Sequence, residues 1–226
     1  MIASAAILTG DLIDSTGAGR ARVDTTMAEI EAAASTASSW CRGKARFTRF
    51  RGDGWQFLLA DPTLAIWAAV HVHARLAAHP DAIATRIGIG IGSVESAGTA
   101  DLRDASGSAF VHSGHALDHM HRKERLFIQG EPDDVRPADK AICILLDERL
   151  KRWSAQQAEA AALYLWPETP TGRDLAEPDQ MTQAGIASHL GITPQAVNYR
   201  LQGAGAVAIR EALIAHRMDL EARTPA

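Results

Sequence analysis

The pattern of apolar residues changes near residue 135. Before that point, short apolar runs typical of strands alternate with segments of helical periodicity. Beyond it, every regular segment has helical periodicity. The polar segment 131–137 lies between the two parts and contains two prolines, as linkers often do. The sequence therefore predicts two domains, at residues 1–135 and 136–226.

The first part is predicted to combine strands and helices. Residues 3–10 form an apolar strand, and Asp14 to Thr16 supply N-cap residues for one helix that reaches Trp40. Asp-Gly within the alternating segment 45–60 predicts a hairpin, because both turn positions tolerate positive φ. The remaining segments are predicted as a helix at 61–78, a glycine-interrupted strand at 83–95, a helix at 109–121 and a strand at 125–130. The order β-α-β-β-α-β, extended by a helix and a strand, predicts an α+β fold with a ferredoxin-like sheet.

Composition and charge exclude several classes of protein. Hydrophobic residues make up 46% of the chain and charged residues 22%, which is typical of globular proteins rather than disordered or fibrous ones. No apolar run reaches about 18 residues, and the N-terminus lacks the basic segment of a signal peptide, so no membrane association is expected. Cys41 and Cys143 lie far apart, which suits a cytoplasmic protein. A net charge of -4 argues against a protein that coats nucleic acid by bulk charge.

The second part is predicted to be all-α. Residues 138–165 are predicted to form one long helix or two, broken near Trp153 and Ser154, where the serine could cap a second helix. A helix-turn-helix is predicted at residues 181–203. In the run TQAGIASHLGITPQAVNYRLQGAG, Gly191 would form the tight turn, Thr193 would cap the second helix and Pro194 would occupy its first position. Polar side chains then point outward, and amides suit adenine edges while arginine suits guanine or phosphate. The residues predicted to contact double-stranded DNA are Thr193, Gln195, Asn198, Tyr199, Arg200 and Gln202. The alternative is a pair of helices that packs against protein.

The charge around this motif is modest. Residues 181–218 contain three arginines and one acid, a local balance of +2, and the loop before them is acidic. This balance predicts weak non-specific DNA binding and a dimer that reads its site through base contacts.

Two aspartates of the first part form a second candidate site. Asp11 ends the first strand and Asp53 lies at the hairpin tip, and a ferredoxin-like sheet places these two elements side by side. Two carboxylates and the carbonyl of Leu12 would suit Mg²⁺. Backbone N–H groups of residues 13–16 would face the phosphates of a nucleotide. The alternative is structural, with an Asp-Gly turn that binds no metal and an Asp11 that caps a loop.

The segments GDLIDST, RGDGWQF and RIGIGIG resemble the metal motifs and the following strand of class III nucleotidyl cyclases over about residues 1–130. With a helix-turn-helix appended, the chain resembles bacterial SatD-like proteins. The resemblance implies a cyclase-type palm domain followed by a helix-turn-helix, with Mg²⁺ as cofactor and a nucleotide ligand. Arg49 falls where the cyclases use a base-selecting lysine. The residues implied for the nucleotide and metal site are Asp11, Leu12, Ser15, Thr16, Arg49 and Asp53.

The pattern departs from the cyclases at their transition-state residues. Alignment on Gly107 places Val111 and His115 where the cyclases have asparagine and arginine. Valine cannot orient a ribose, and a neutral imidazole replaces a permanent cation poorly, so no catalytic residue is assigned and loss of catalysis is expected. A single palm domain also implies a homodimer.

Three functional hypotheses follow from these motifs. The first is a sequence-specific DNA-binding transcriptional regulator whose cyclase-like domain senses a nucleotide or mediates dimerisation. The second is an active Mg²⁺-dependent nucleotidyl cyclase with an attached DNA-binding domain. In the third, the cyclase-like domain only dimerises and binds no ligand.

Overall fold

Five strands form one mixed sheet in the order β2-β3-β1-β4-β5. The computed structural model describes residues 2–41, 46–50, 52–99, 101–167 and 182–223. Strand β1 pairs antiparallel with both β3 and β4, β2 pairs antiparallel with β3, and β5 pairs parallel with β4. The strands are β1 Ile2–Leu12, β2 Arg46–Arg49, β3 Gly54–Leu59, β4 Thr85–Val94 and β5 Leu126–Gln129.

Helices connect the strands and make up most of the rest of the described chain. In the first part they are α1 Ser15–Ala18, α2 Arg20–Trp40, α3 Ala65–Ala78 and α4 Ser108–His119. In the second part they are α5 Pro137–Leu150, α6 Ala155–Tyr164, α7 Gln183–Leu190, α8 Pro194–Ala204 and α9 Ala206–Arg223. This combination of helices with a mixed sheet confirms the predicted α+β class.

The two faces of the sheet pack against different helices, because successive residues of a strand point to opposite sides. Ala6 and Leu8 of β1 belong to a buried cluster that includes α2 and α3, whereas Ala5 and Ile7 belong to a second cluster with Ala109 of α4. On the α4 side, β4 presents three alternating glycines, at which an added Cβ would lie within 2.1–2.6 Å of α4 atoms. The absence of side chains at these three glycines therefore lets α4 lie directly on the sheet.

The helical part packs on the sheet part through α5 and α6. The larger buried cluster includes Trp67 of α3, Leu146 of α5, Ala158 of α6 and Val197 of α8. Trp67 Nε1 also donates a hydrogen bond of 2.9 Å to the carbonyl of Leu165. The predicted boundary between residues 1–135 and 136–226 falls in the turn before α5. One apolar cluster contains residues from both sides of this boundary, and the division into two domains remains a prediction.

The predicted order of strands and helices is confirmed, with one error. The helix predicted from Asp14 to Trp40 is two helices, because Gly19 has φ +85 and interrupts it. Asp14 itself has left-handed φ and ψ and its side chain caps nothing. The predicted break between α5 and α6 occurs at Ser154, whose side chain accepts a hydrogen bond from the N–H of Gln157 in a capping box. Over the described ranges, no helix is long and apolar enough to cross a bilayer.

Candidate nucleic-acid interface and N-terminal cleft

Helices α7 and α8 are joined by a three-residue turn. Gly191 ends α7 with φ +64 and ψ +32, a conformation that glycine adopts without steric cost. Thr193 then accepts a hydrogen bond of 3.2 Å from the N–H of Ala196, and Pro194 occupies the first position of α8. Both features agree with the sequence prediction for this turn.

The inner faces of the two helices form one small core. Ile186 and Ala187 of α7 pack with Val197, Leu201 and Ala204 of α8, and all five are buried. This packing sets the angle between the helices and leaves the opposite side of α8 to solvent. The pair would keep its shape when that outer side contacts another molecule.

Polar residues occupy the outer side of α8. Gln195 and Gln202 are exposed, and Tyr199 has 78% of its surface accessible, which is high for an aromatic side chain. Asn198 is half-buried, and its Oδ1 accepts a hydrogen bond of 3.3 Å from Gln183 of α7. The predicted contact residues therefore share one face, apart from Thr193 at the N-terminus of α8 and Arg200.

Arg200 is oriented differently from the other predicted contact residues. Its Nη1 lies 2.8 Å from Oε2 of Glu159 on α6, and only 18% of its side-chain surface is accessible. The ion pair ties α8 to α6. Glu159 is a residue that sequence reasoning missed, because no spacing rule connects positions 41 residues apart.

The C-terminal end of α8 is tied to α5 and to the residues that follow it. Trp153 Nε1 donates a hydrogen bond of 2.8 Å to the carbonyl of Ala204, and Arg149 donates to the carbonyls of Gly203 and Ala204. These donors satisfy carbonyls that a helix end leaves unpaired. Helix α8 is therefore held at its C-terminal end while its outer side stays accessible.

The N-terminal candidate site divides into two parts. Four predicted residues, Ser15, Thr16, Arg49 and Asp53, line one open cleft of about 760 Å³. Within it, Ser15 Oγ donates a hydrogen bond of 2.5 Å to Oδ2 of Asp53. Arg49 Nη1 lies 2.8 Å from Oδ1 of Asp24, and this bond is the main reason why the pKa of Asp24 lies below its ordinary value.

Asp11 and Leu12 lie outside the lining of this cleft. Leu12 is buried, and its N–H donates to the carbonyl of Asp53 at 3.2 Å. Asp11 is the register partner of Arg86 on β4, and the two side chains form a two-bond ion pair, with Nε 2.8 Å from Oδ1. That bond is also the main reason why the pKa of Arg86 is raised.

The described side chains do not fit a bound cation. Arg86 places a permanent positive charge against the Asp11 carboxylate, which is the position that a divalent ion would need. Asp53 has its own hydrogen-bond partner in Ser15. Over the described ranges, no group of three or more His, Cys, Asp or Glu side chains is placed to hold a metal ion. The backbone N–H of Ile13, expected to face a phosphate, instead donates to the carbonyl of Ala84 at 2.8 Å.

Sequence reasoning missed Arg86 as a partner of Asp11. The alternation in RIGIGIG places Arg86 on the same side of β4 as the glycines, but the register between β1 and β4 is not readable from either segment alone. Trp55, beside the predicted nucleotide site, is fully buried, and its Nε1 donates to Thr85 Oγ1 at 2.9 Å. Val111 and His115 lie on the exposed side of α4.

No protein-family model matches the chain, and no curated protein sequence matches it.

Proposed function

We propose that this protein is a sequence-specific DNA-binding transcriptional regulator. Helices α7 and α8 would form a helix-turn-helix, with α8 as the helix that enters the major groove. The observation that carries the proposal is the exposed polar face of α8, with Gln195, Tyr199 and Gln202 accessible on a helix whose other side is buried. A helix pair that served only for packing would have no need of a rigid, accessible row of amides.

Base contacts rather than charge would supply the specificity. Glutamine and asparagine side chains pair with the N6 and N7 edge of adenine, and each such pair contributes roughly 1–3 kcal/mol of discrimination. Arg200, the only arginine of α8, is held by Glu159. A low density of positive charge suits a dimer that binds two half-sites, with weak attraction to DNA of other sequences.

Selection from a random pool of duplex DNA with the full-length chain tests this proposal. The enriched sequence is then used in gel-shift titrations with Gln195→Ala and Tyr199→Ala, two exposed positions where truncation leaves the core intact. Each variant should weaken binding roughly tenfold, as expected for the loss of one base contact. The matched control is Gln156→Ala, an exposed glutamine on α6. Failure to enrich any sequence, or equal binding by all three variants, contradicts the proposal.

For the N-terminal part, we propose a ferredoxin-like, cyclase-type domain that is not catalytic and that senses a nucleotide or mediates homodimerisation. The neighbour order β2-β3-β1-β4, with β1 antiparallel to both of its neighbours, supports the ferredoxin-like assignment. The Asp11–Arg86 ion pair and the exposed Val111 support the loss of catalysis. The cleft that contains Arg49 and Asp53 is where a nucleotide would bind.

Two measurements separate the versions of this second proposal. Incubation with each nucleoside triphosphate and Mg²⁺ or Mn²⁺ should release no pyrophosphate; release would favour the active cyclase instead. A rise in melting temperature with one nucleotide, reduced in Arg49→Gln but kept in the control Arg103→Gln, would support the sensor. If no nucleotide raises the melting temperature, homodimerisation is the remaining role of this domain. Sedimentation of the full-length chain measures dimerisation directly.

A further inference from the structure

A second concave site lies between the sheet and the C-terminal helix. It is a cavity of about 210 Å³, distinct from the cleft at Asp53 and remote from the outer face of α8. Ile91 of β4 and Ile128 of β5 line it from the sheet, Ile66 from α3 and Leu220 from α9. Cavities of roughly 150 Å³ with apolar walls bind molecules as large as benzene. The size and the apolar walls of this cavity therefore suit a small organic ligand.

The polar side of the cavity contains a buried histidine whose Nε2 lies beside a carboxylate but lacks a well-aligned hydrogen bond. His216 of α9 lines the cavity and is 95% buried, and its Nε2 makes no hydrogen bond with any described residue. Burial lowers the pKa of His216, and the carboxylate of Asp139, whose Oδ1 lies 3.1 Å from that nitrogen, opposes this shift. Buried polar atoms without a well-aligned partner are rare in proteins, and a bound ligand is one explanation for them.

The charge of the cavity wall is negative. Among the described residues that line it are three carboxylates, those of Asp133, Asp134 and Asp139, and one permanent cation, Arg223. Arg223 is already compensated twice, because it bonds to Asp139 at 2.9 Å and also to Asp219. The Asp134 carboxylate makes no hydrogen bond or ion pair within the described part of the chain, although it is partly buried. Burial raises the pKa of Asp134, and the nearby His112 opposes that shift. The wall therefore has a carboxylate without a contacting cation beside apolar side chains.

We propose that this cavity binds a small organic cation, a protonated amine that carries an apolar group of about the size of a phenyl ring. The ammonium group would pair with Asp134 and donate a hydrogen bond toward His216 Nε2 and Asp139 Oδ1. The apolar group would lie against Ile66, Ile91 and Ile128. An anionic ligand would face three carboxylates, and a neutral one would cover Asp134 without pairing with its charge.

Methyl NMR of the full-length chain tests the site with benzylammonium as the probe. The probe should cause saturable shifts at the methyl groups of Ile66, Ile91 and Ile128, at concentrations on the order of 10 mM or below. Benzyl alcohol has the same shape without the charge and should bind at least tenfold more weakly. Asp134→Asn should weaken benzylammonium binding by a similar factor, and the control Asp118→Asn, an exposed acid on α4, should leave it unchanged.

Three results would overturn the proposal. They are the absence of saturable shifts at these methyl groups, equal binding of benzylammonium and benzyl alcohol, and equal binding by the Asp134→Asn variant. Because Asp134 is not fully buried, its amide variant should fold, and a native methyl spectrum verifies this directly. The measurement uses no DNA, so its outcome is independent of the proposed regulatory function.

Discussion

Arg86 donates a hydrogen bond of 2.8 Å from Nε to Oδ1 of Asp11, and its Nη2 bonds to the other carboxylate oxygen. The two residues face each other across β4 and β1 at paired positions. A planar guanidinium matches the two oxygens of a carboxylate in this two-bond geometry. A metal ion that bound the same oxygens would have to displace the guanidinium. The pair thus gives Asp11 a structural role in joining two central strands.

The Asp11–Arg86 pair should contribute measurably to stability. A double-mutant cycle with Asp11→Asn and Arg86→Met, followed by urea unfolding, should give a coupling energy of about 1 kcal/mol. The value is modest because both side chains are about 30% accessible and water screens them. A second cycle that combines Asp11→Asn with Arg103→Met is the control, because Arg103 does not contact Asp11 and no coupling is expected. A coupling energy near zero for Asp11 and Arg86 would mean that the pair does not join the strands in solution.

Two buried histidines should make the protein sensitive to acid. Burial lowers the pKa of His71 to about 3 and that of His73 to about 4, so both rings stay neutral in the folded chain. The unfolded chain takes up these protons near pH 6.5, and stability therefore falls as the pH drops below that value. Between pH 7 and pH 5, each histidine should remove about 2 kcal/mol from the free energy of unfolding.

Urea midpoints measured from pH 5 to pH 7.5 check this dependence. His71→Leu should flatten the pH profile by about half, because the replaced ring no longer takes up a proton on unfolding. His115→Leu, an exposed histidine on α4, is the control and should leave the slope as it is in the parent chain. An unchanged slope in His71→Leu would show that this ring is not held neutral.

Close contact between α4 and the sheet predicts opposite effects at two glycines. An added Cβ at Gly90 would lie 2.1 Å from the carbonyl oxygen of Ala109 and 2.2 Å from the backbone nitrogen of Ser113. Backbone atoms of a packed helix cannot yield at so short a distance, so Gly90→Ala should lower stability by about 3 kcal/mol or more. Gly114 lies in α4 with open space at its Cβ, and Gly114→Ala should raise stability by about 1 kcal/mol. Thermal unfolding of both variants measures the two changes in stability. If Gly90→Ala were the more stable variant, the prediction would be wrong.

Releasing Arg200 should strengthen DNA binding. In Glu159→Gln the arginine loses its partner at 2.8 Å and can reach a phosphate or a guanine. Affinity for the selected DNA should rise severalfold, and the salt dependence should steepen by about one phosphate contact. Glu211→Gln, an exposed acid on α9, changes the net charge equally and is the control. An equal gain in both variants would assign the effect to net charge rather than to Arg200.

Much of the fold was readable from local chemistry. Gly191 in its left-handed turn, Thr193 as a cap and Ser154 before α6 depend on contacts only a few residues apart. Each preference is a property of the residue and its neighbours. The interruption at Gly19 was missed because a glycine within a helical pattern does not by itself show which φ it will adopt.

The candidate sites were only partly readable. The motifs and the family resemblance predicted one site made of six residues, Asp11, Leu12, Ser15, Thr16, Arg49 and Asp53. The last four of these line one cleft, and the first two do not. The pattern could not show that Asp11 would be paired with a residue of another strand. The cavity at His216 had no signal in the sequence at all, since its walls come from six separate strands and helices.

The sequence by itself determined the order of strands and helices, the turn between α7 and α8, and the polar character of the outer side of α8. These follow from periodicity and capping, which act over a few residues. The tertiary structure alone decided that Asp11 binds Arg86, that Arg200 binds Glu159, and that His216 lies beside Asp139 in a cavity. Those pairings depend on strand register and helix packing, where a shift of one residue would turn each side chain to another face.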